Sequence, residues 1–170
     1  MPLTTLACTA IDAVAEQMAA VAAEIGSYAA SDLLCYRASD PAALAVQLAA
    51  AWDPLVDWAA GELGVSFVRT AGLMPVAQLP AVPAAIITAL VPLDPLRLAA
   101  VHVLTTLTGS AILALAVLRN RLSLDDAWRL AHLDEDFQIS RWGSDAEAAA
   151  RRAARFATAR AAAAMLEMLG

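Results

Sequence analysis

The sequence predicts a mainly α-helical fold, a bundle of about six to seven helices with at most one or two short strands. One observation behind this is that 61% of the 170 residues are hydrophobic and many of these are alanine, which has the highest helix propensity. Another is a series of helix-start signals placed where apolar periodicity begins. The length suits one hydrophobic core, so residues 1–170 are expected to form a single helical domain.

The N-terminal part predicts two helices around a short irregular stretch. A first helix is expected from about Thr5 to Ile25, because apolar residues recur along one side and Gly26 follows as a stop signal. Leu33–Tyr36 is short, apolar and aromatic, and could be extended. Asp40-Pro41 predicts the next helix start, with an acidic N-cap before a proline at the first helical position.

The middle of the chain predicts a strand, a loop and another helix. Gly64–Val68 reads as a brief strand. Gly72–Pro83 contains three prolines and is expected to be a loop that leads into a helix near Val82. Asp94-Pro95 repeats the pattern of an acidic N-cap followed by proline.

The stretch Leu98–Val117 carries no formal charge and is long enough to span a membrane. Polar residues crowd its centre, however, and Gly109-Ser110 resembles a break between two helices. We therefore expect a buried helix or helix pair and no stable membrane insertion, with a transmembrane helix as the alternative.

Two further starts follow the capping-box spacing, Ser123 with Asp126 and Ser144 with Glu147. The alanine-rich segment Ala146–Leu169 is expected to be a helix.

The composition and motifs of the chain argue against several classes of function. The net charge is −6 and there is no basic field to attract nucleic acid. Cys8 and Cys35 have neither metal-ligand nor disulfide-framework spacing, and the first residues lack the features of a secretory or transit peptide. We found no catalytic motif, so the sequence predicts no catalytic, metal or cofactor site. His102 is expected to be a core or capped histidine, and His132 a solvated one.

The segment HLDEDFQISRWG, residues 132–143, places three acids in succession. On one helical wheel with about 100° per residue, Glu135 falls amid an arc of apolar and aromatic residues that includes Trp128 and Trp142, with Gln138 beside it. Asp136 points outward and is expected to be a plain solvated charge.

Two readings of Glu135 remain open. A buried carboxylate needs a partner, so Glu135 could form a buried or half-buried structural ion pair with an arginine, and Arg37 is one guess. Alternatively, Glu135 is exposed among Trp128, Gln138 and Trp142 in a patch typical of protein-binding surfaces. A hydrolase that uses Glu135 with His132 is disfavoured because the two lie about 60° apart on the wheel and no nucleophile is evident.

Four segments carry a resemblance to a known family. They are SDLLCYRA (31–38), WDPLVDWA (52–59), TGS with the following LALA (108–116), and LDEDFQISRWG (133–143). In order and spacing they resemble the ATP synthase assembly chaperones that bind the α subunit of the F1 sector, known in mitochondria as F1 complex assembly factor 2.

The resemblance implies a non-enzymatic chaperone that holds the free F1 α subunit until the β subunit displaces it, without a cofactor and as a monomer. It implies that Glu135, or its neighbour Asp134, is the functionally sensitive acid, so the expected client-binding residues are Glu135, Asp134, Gln138, Trp142 and Trp128. A self-associating helical module without a client is the alternative.

The resemblance also bears on domains and location. Family members carry a smaller β-rich domain before the helical one, and MPLTTLACTAID at residues 1–12 resembles the start of the second domain. The composition, with arginine as its only basic type, looks bacterial. A cytoplasmic protein is therefore expected, or a mitochondrial matrix protein if the source is eukaryotic.

Overall fold

The computed structural model describes residues 2–170 and is 74% helical, which confirms the mainly α-helical prediction. Two short strands, β1 (Tyr36–Arg37) and β2 (Thr70–Ala71), pair in parallel. The α-helices within the described residues number nine, rather than six to seven, because two expected long helices are broken. They are α1 (Pro2–Thr9), α2 (Met18–Ala30), α3 (Ala42–Leu63), α4 (Ala81–Leu90), α5 (Pro95–Thr108), α6 (Ala111–Leu118), α7 (Leu124–Ala131), α8 (Leu133–Trp142) and α9 (Ala146–Leu169).

The expected first helix from Thr5 to Ile25 is wrong in both its continuity and its end. α1 continues into a π-helical segment, Ala10–Val14, and the chain then turns so that Pro2–Val14 and Met18–Cys35 differ in direction by 112°. Gly26 lies inside α2 and does not end it. A Cβ atom placed there would come within 2.9 Å of Ile87 Cγ1, so the glycine permits the close approach of α2 and α4.

Two of the four predicted helix starts are confirmed in detail. The Asp94 carboxylate accepts a hydrogen bond from the Arg97 amide at 2.9 Å, and Pro95 is the first residue of α5. The Ser123 hydroxyl accepts a hydrogen bond from the Asp126 amide at 3.1 Å at the start of α7. In both cases a short polar side chain satisfies an amide that has no partner inside the helix.

The other two starts are wrong by one residue. α3 begins after Pro41, which follows a cis peptide bond, so Asp40 is not its N-cap. α9 is capped by Asp145 in place of Ser144, because the Asp145 carboxylate accepts a hydrogen bond from the Glu147 amide at 3.2 Å. Either type of side chain could accept such a bond, and Asp145 is the one that does so.

The extended segments are shorter than predicted. Leu33–Cys35 forms a 3₁₀ turn, and only Tyr36 of the predicted stretch is in a strand. The predicted strand at Gly64–Val68 is wrong, because β2 begins further along the chain. In place of a strand neighbour, the Gln78 side chain bonds both the amide of Val68 at 2.8 Å and its carbonyl at 2.6 Å.

The break predicted within Leu98–Val117 is confirmed. Gly109 has a φ of 73° at the end of α5, and the Ser110 hydroxyl caps α6 by accepting from the Leu113 amide at 3.0 Å. No single helix among residues 2–170 is long and apolar enough to cross a membrane. Pro2–Val14 and Met18–Cys35 together have the length and composition of a membrane span, but the two segments are bent by 112° at the break between them.

A buried carboxylate joins the 3₁₀ turn to α6. Asp32 is fully buried and accepts hydrogen bonds from the Leu34 amide at 3.1 Å, the Ser110 hydroxyl at 2.7 Å and the Ile112 amide at 3.0 Å. Burial raises the pKa of Asp32 to about 6, although these hydrogen bonds act in the opposite direction. Asp32 is thus a tie between two elements far apart in sequence.

A cluster of buried apolar residues packs against α7 and the start of α8. It is centred on α3 and α6, and within it the Trp52 indole donates a hydrogen bond to the Leu130 carbonyl at 2.9 Å. The suggested pairing of Arg37 with Glu135 is wrong, since Arg37 pairs with Asp53 of α3. The core therefore holds α7 through Trp52 and leaves α8 without a fully buried residue.

Candidate functional site

A groove with a volume of about 520 Å³ lies between α8 and α9, over the end of α7. Its floor is aromatic, because the Trp128 and Phe156 rings lie 5.2 Å apart between centroids and Trp128 is only 6% exposed. The lining also includes small side chains of α9, which leave room above the floor. The lining residues are Trp128, Glu135, Gln138, Ile139, Trp142, Gly143, Ser144, Asp145, Ala148, Ala149, Arg152, Ala153 and Phe156.

The rim of the groove is formed where α8 turns into α9. Gly143 has a φ of 81°, a conformation that glycine adopts without strain, and its amide donates to the Ile139 carbonyl at 2.9 Å. This turn leaves Trp142 82% exposed at the rim. An indole held in this way offers a large apolar area and a hydrogen-bond donor to a partner.

The structure brings together four of the five predicted client-binding residues, Trp128, Glu135, Gln138 and Trp142, in the lining of the groove. Trp128 is buried at the floor and not part of an exposed ring. Asp134 is exposed and does not line the groove; its carboxylate lies 3.5 Å from the Gln138 amide nitrogen. The wheel treated residues 124–142 as one helix, yet it grouped these four correctly despite a break at His132.

Glu135 lies at the edge of the groove and is not sealed inside it. Its side chain is 43% exposed, and its Oε1 is 3.9 Å from Arg152 Nη1. Arg152, from α9, is only 23% exposed. Glu135 therefore has a feature of each reading, because it is an exposed acid beside an apolar floor and it also forms a long ion pair with Arg152.

The expectation that Asp136 is a plain solvated charge is wrong. Arg152 Nη1 donates to Asp136 Oδ1 at 2.5 Å, and Nη2 donates to Oδ2 at 3.3 Å. This is a two-point pairing, the arrangement that best fits a planar guanidinium to a carboxylate. The hydrogen bond that Arg152 donates to Asp136 is also the main cause that raises the pKa of Arg152.

The expectation that His132 is solvated is also wrong. His132 is 7% exposed and stacks on Trp128 with 4.3 Å between ring centroids. Its Nδ1 lies 2.7 Å from the Trp128 carbonyl. A carbonyl can only accept, so Nδ1 carries the proton. Burial lowers the pKa of His132, so this side chain fixes the floor of the groove as a neutral ring.

Arg152 and Phe156 are among the lining residues that were not predicted from the sequence. Both come from α9, which the sequence predicts as a helix but does not orient against α8. The only signal was that Phe156 shares an apolar face with other α9 residues. Taken as a whole, the groove has an apolar floor, an exposed indole at its rim and a carboxylate at its edge, which suits the binding of a protein segment.

Comparison with known proteins identifies relatives. A family model described as ATP12 chaperone protein matches residues 1–60. The crystal structure of Atp12 from Paracoccus denitrificans is 47% identical with a TM-score of 0.94, and the match covers 98% of this chain and 72% of that one. A lysine-for-aspartate variant of that protein matches at 46% identity and a TM-score of 0.94, covering 98% of this chain and 71% of that one.

A second bacterial structure agrees. The Atu1473 protein from Agrobacterium tumefaciens is 47% identical with a TM-score of 0.94, and the match covers 100% of this chain and 64% of that one. The chain therefore spans about two thirds to three quarters of the length of these relatives.

Proposed function

Because the chain belongs to the ATP12 chaperone family, we propose that it is an assembly chaperone for the F1 sector of ATP synthase. In this proposal it binds the free α subunit as a monomer until the β subunit replaces it. Family membership supports a chaperone role and a protein partner. The identity of the α subunit as client rests on the resemblance of residues 133–143 and on the character of the groove.

The observation that carries the proposal is the exposed groove between α8 and α9. A tryptophan that is 82% exposed stands at its rim, and a carboxylate that is 43% exposed stands at its edge. Tryptophan is enriched among residues that dominate binding energy at protein interfaces. An exposed apolar surface of this kind is a feature of interaction sites.

A catalytic role has less support. Nδ1 of His132 is already bonded to the Trp128 carbonyl, and the groove lining offers no side chain that pairs a nucleophile with a free base. Self-association through Trp142 is the remaining alternative, because the same exposed indole could meet a second copy.

The proposal is tested by Glu135→Lys in a pull-down of purified F1 α subunit. We expect retention of the α subunit to fall at least tenfold, equivalent to about 1.4 kcal/mol. Reversal of the charge at the edge of the groove places a cation beside Arg152. Circular dichroism should show unchanged helix content, because Glu135 lies on an exposed face.

Glu16→Lys is the matched control. It makes the same substitution at an exposed residue that does not line the groove, and it should reduce binding far less. Equal losses in the two variants would show that net charge matters and that the groove does not. Sedimentation of the free chain tests the alternative, since a tight homo-oligomer abolished by Trp142→Ala would favour self-association.

A further inference from the structure

Three charged side chains meet at the edge of the groove, and only two of them are fully paired. Glu135 and Asp136 are consecutive residues of α8, and Arg152 faces both from α9. The guanidinium makes its two-point contact with Asp136 at 2.5 and 3.3 Å. Glu135 is left at 3.9 Å from it, beyond hydrogen-bond distance.

The pairing choice of Arg152 decides the charge that the groove presents. Consecutive helical residues point about 100° apart, so a planar guanidinium cannot bind both carboxylates in the two-point manner at once. With Arg152 held by Asp136, Glu135 has only a long ion pair at 3.9 Å and accepts no hydrogen bond from the guanidinium. If Arg152 turned to Glu135, that carboxylate would be directly paired and less able to bind a second cation.

Other charges at the groove add to this asymmetry. Asp145 also lines it, and its carboxylate caps the start of α9. Arg141 on α8 lies over the Phe137 ring at 5.0 Å, and neither residue lines the groove. Glu135 and Asp145 thus outnumber Arg152, the sole cationic residue of the lining as described.

We propose that the groove selects a client segment in which a basic side chain stands next to an apolar one, and that Asp136 is a positioning residue that holds Arg152 away from Glu135. The apolar side chain enters over Trp128 and Phe156, and the basic side chain pairs with Glu135. The charge complementarity of the lining is the basis for this choice of occupant. The inference rests on the proposed function for the identity of the client.

The test compares Asp136→Asn with the double variant Asp136→Asn/Arg152→Gln in binding of purified α subunit. Asp136→Asn releases Arg152 to Glu135 and should weaken binding roughly tenfold, although Asp136 does not line the groove. The double variant removes the released cation and should restore binding to within roughly threefold of wild type. A purely structural role for Asp136 predicts a further loss in the double variant, and that result would overturn the inference.

A second arm does not depend on the α subunit. The probes are two helical peptides of leucine and alanine that differ only in carrying one arginine or one glutamate. Tryptophan fluorescence reports their binding, and loss of the signal in Trp142→Phe locates it to the groove. The arginine peptide should bind at least tenfold more tightly, with an advantage that shrinks at high salt.

The outcomes of the two arms separate the two claims. Equal binding of the two peptides overturns the inference, whatever the α subunit does. Selective binding of the arginine peptide, together with no retention of the α subunit by the wild-type chain, refutes the proposed function and leaves the groove selectivity standing.

Discussion

The fully buried carboxylate of Asp32 makes the stability of this protein depend on pH in an unusual direction. Asp32 titrates at about 6 in the folded protein, against an ordinary value of 3.8. Between these two values the folded state holds the proton more tightly than the unfolded state. The contribution of Asp32 to the unfolding free energy is therefore complete below pH 3.8 and is lost as pH rises through about 6.

The magnitude follows from the two titration values. A separation of roughly two pKa units corresponds to about 3 kcal/mol, at about 1.36 kcal/mol per unit. About half of this, ~1.4 kcal/mol, falls between about pH 5 and about pH 7.5. Asp32→Asn removes the ionisable group, so it removes this pH dependence.

Asp32→Asn also changes the hydrogen bonds, by an amount that does not vary with pH. The groups that hydrogen-bond to Asp32 all donate, and an asparagine amide nitrogen cannot accept. One buried donor is left without a partner, at a cost of about 1–3 kcal/mol. This offset shifts the whole stability profile, so the prediction concerns its slope.

The assay is urea unfolding of wild type and Asp32→Asn at several pH values between about 5 and 7.5. The wild-type free energy minus that of the variant should fall by ~1.4 kcal/mol across this range. His132 titrates in both proteins and cancels in the difference. The unfolding free energy of Asp32→Ala should be lower than that of Asp32→Asn at every pH, but the two should change with pH at the same slope. Parallel profiles for wild type and Asp32→Asn would refute the reasoning.

Three substitutions within helices test local packing and hydrogen bonding. Gly61→Ala in α3 meets nothing within 4 Å and should raise the unfolding free energy by about 0.5–1 kcal/mol, whereas Gly26→Ala in α2 meets Ile87 at 2.9 Å and should lower it by about 1 kcal/mol. Equal gains in urea midpoint for both glycines would contradict the close approach of α2 and α4. Trp52→Phe leaves the Leu130 carbonyl without its donor and should lower the unfolding free energy by about 1–3 kcal/mol. A thermal unfolding midpoint equal to that of the wild type would contradict a role for this bond.

The parts of the fold that could be predicted from the sequence are those decided by neighbouring residues. Asp94-Pro95 and Ser123 with Asp126 start helices because the capping side chain and the amide it satisfies lie within one turn. Gly26 shows the limit of the same approach. Glycine is a stop signal in isolation, but here it stands inside a helix because Ile87 occupies the space next to it.

In the candidate site, too, the features decided by nearby residues could be predicted and those decided by tertiary packing could not. A helical wheel needs only the spacing of residues, and it placed Glu135 with Gln138 and Trp142 correctly. It also placed Asp136 on another face, from which a solvated charge was the natural conclusion. That conclusion failed because Arg152, sixteen residues away in the chain, is brought against Asp136 only by the turn into α9. The charge that Glu135 presents is therefore a tertiary property: it depends on which of two adjacent carboxylates holds a guanidinium from another helix.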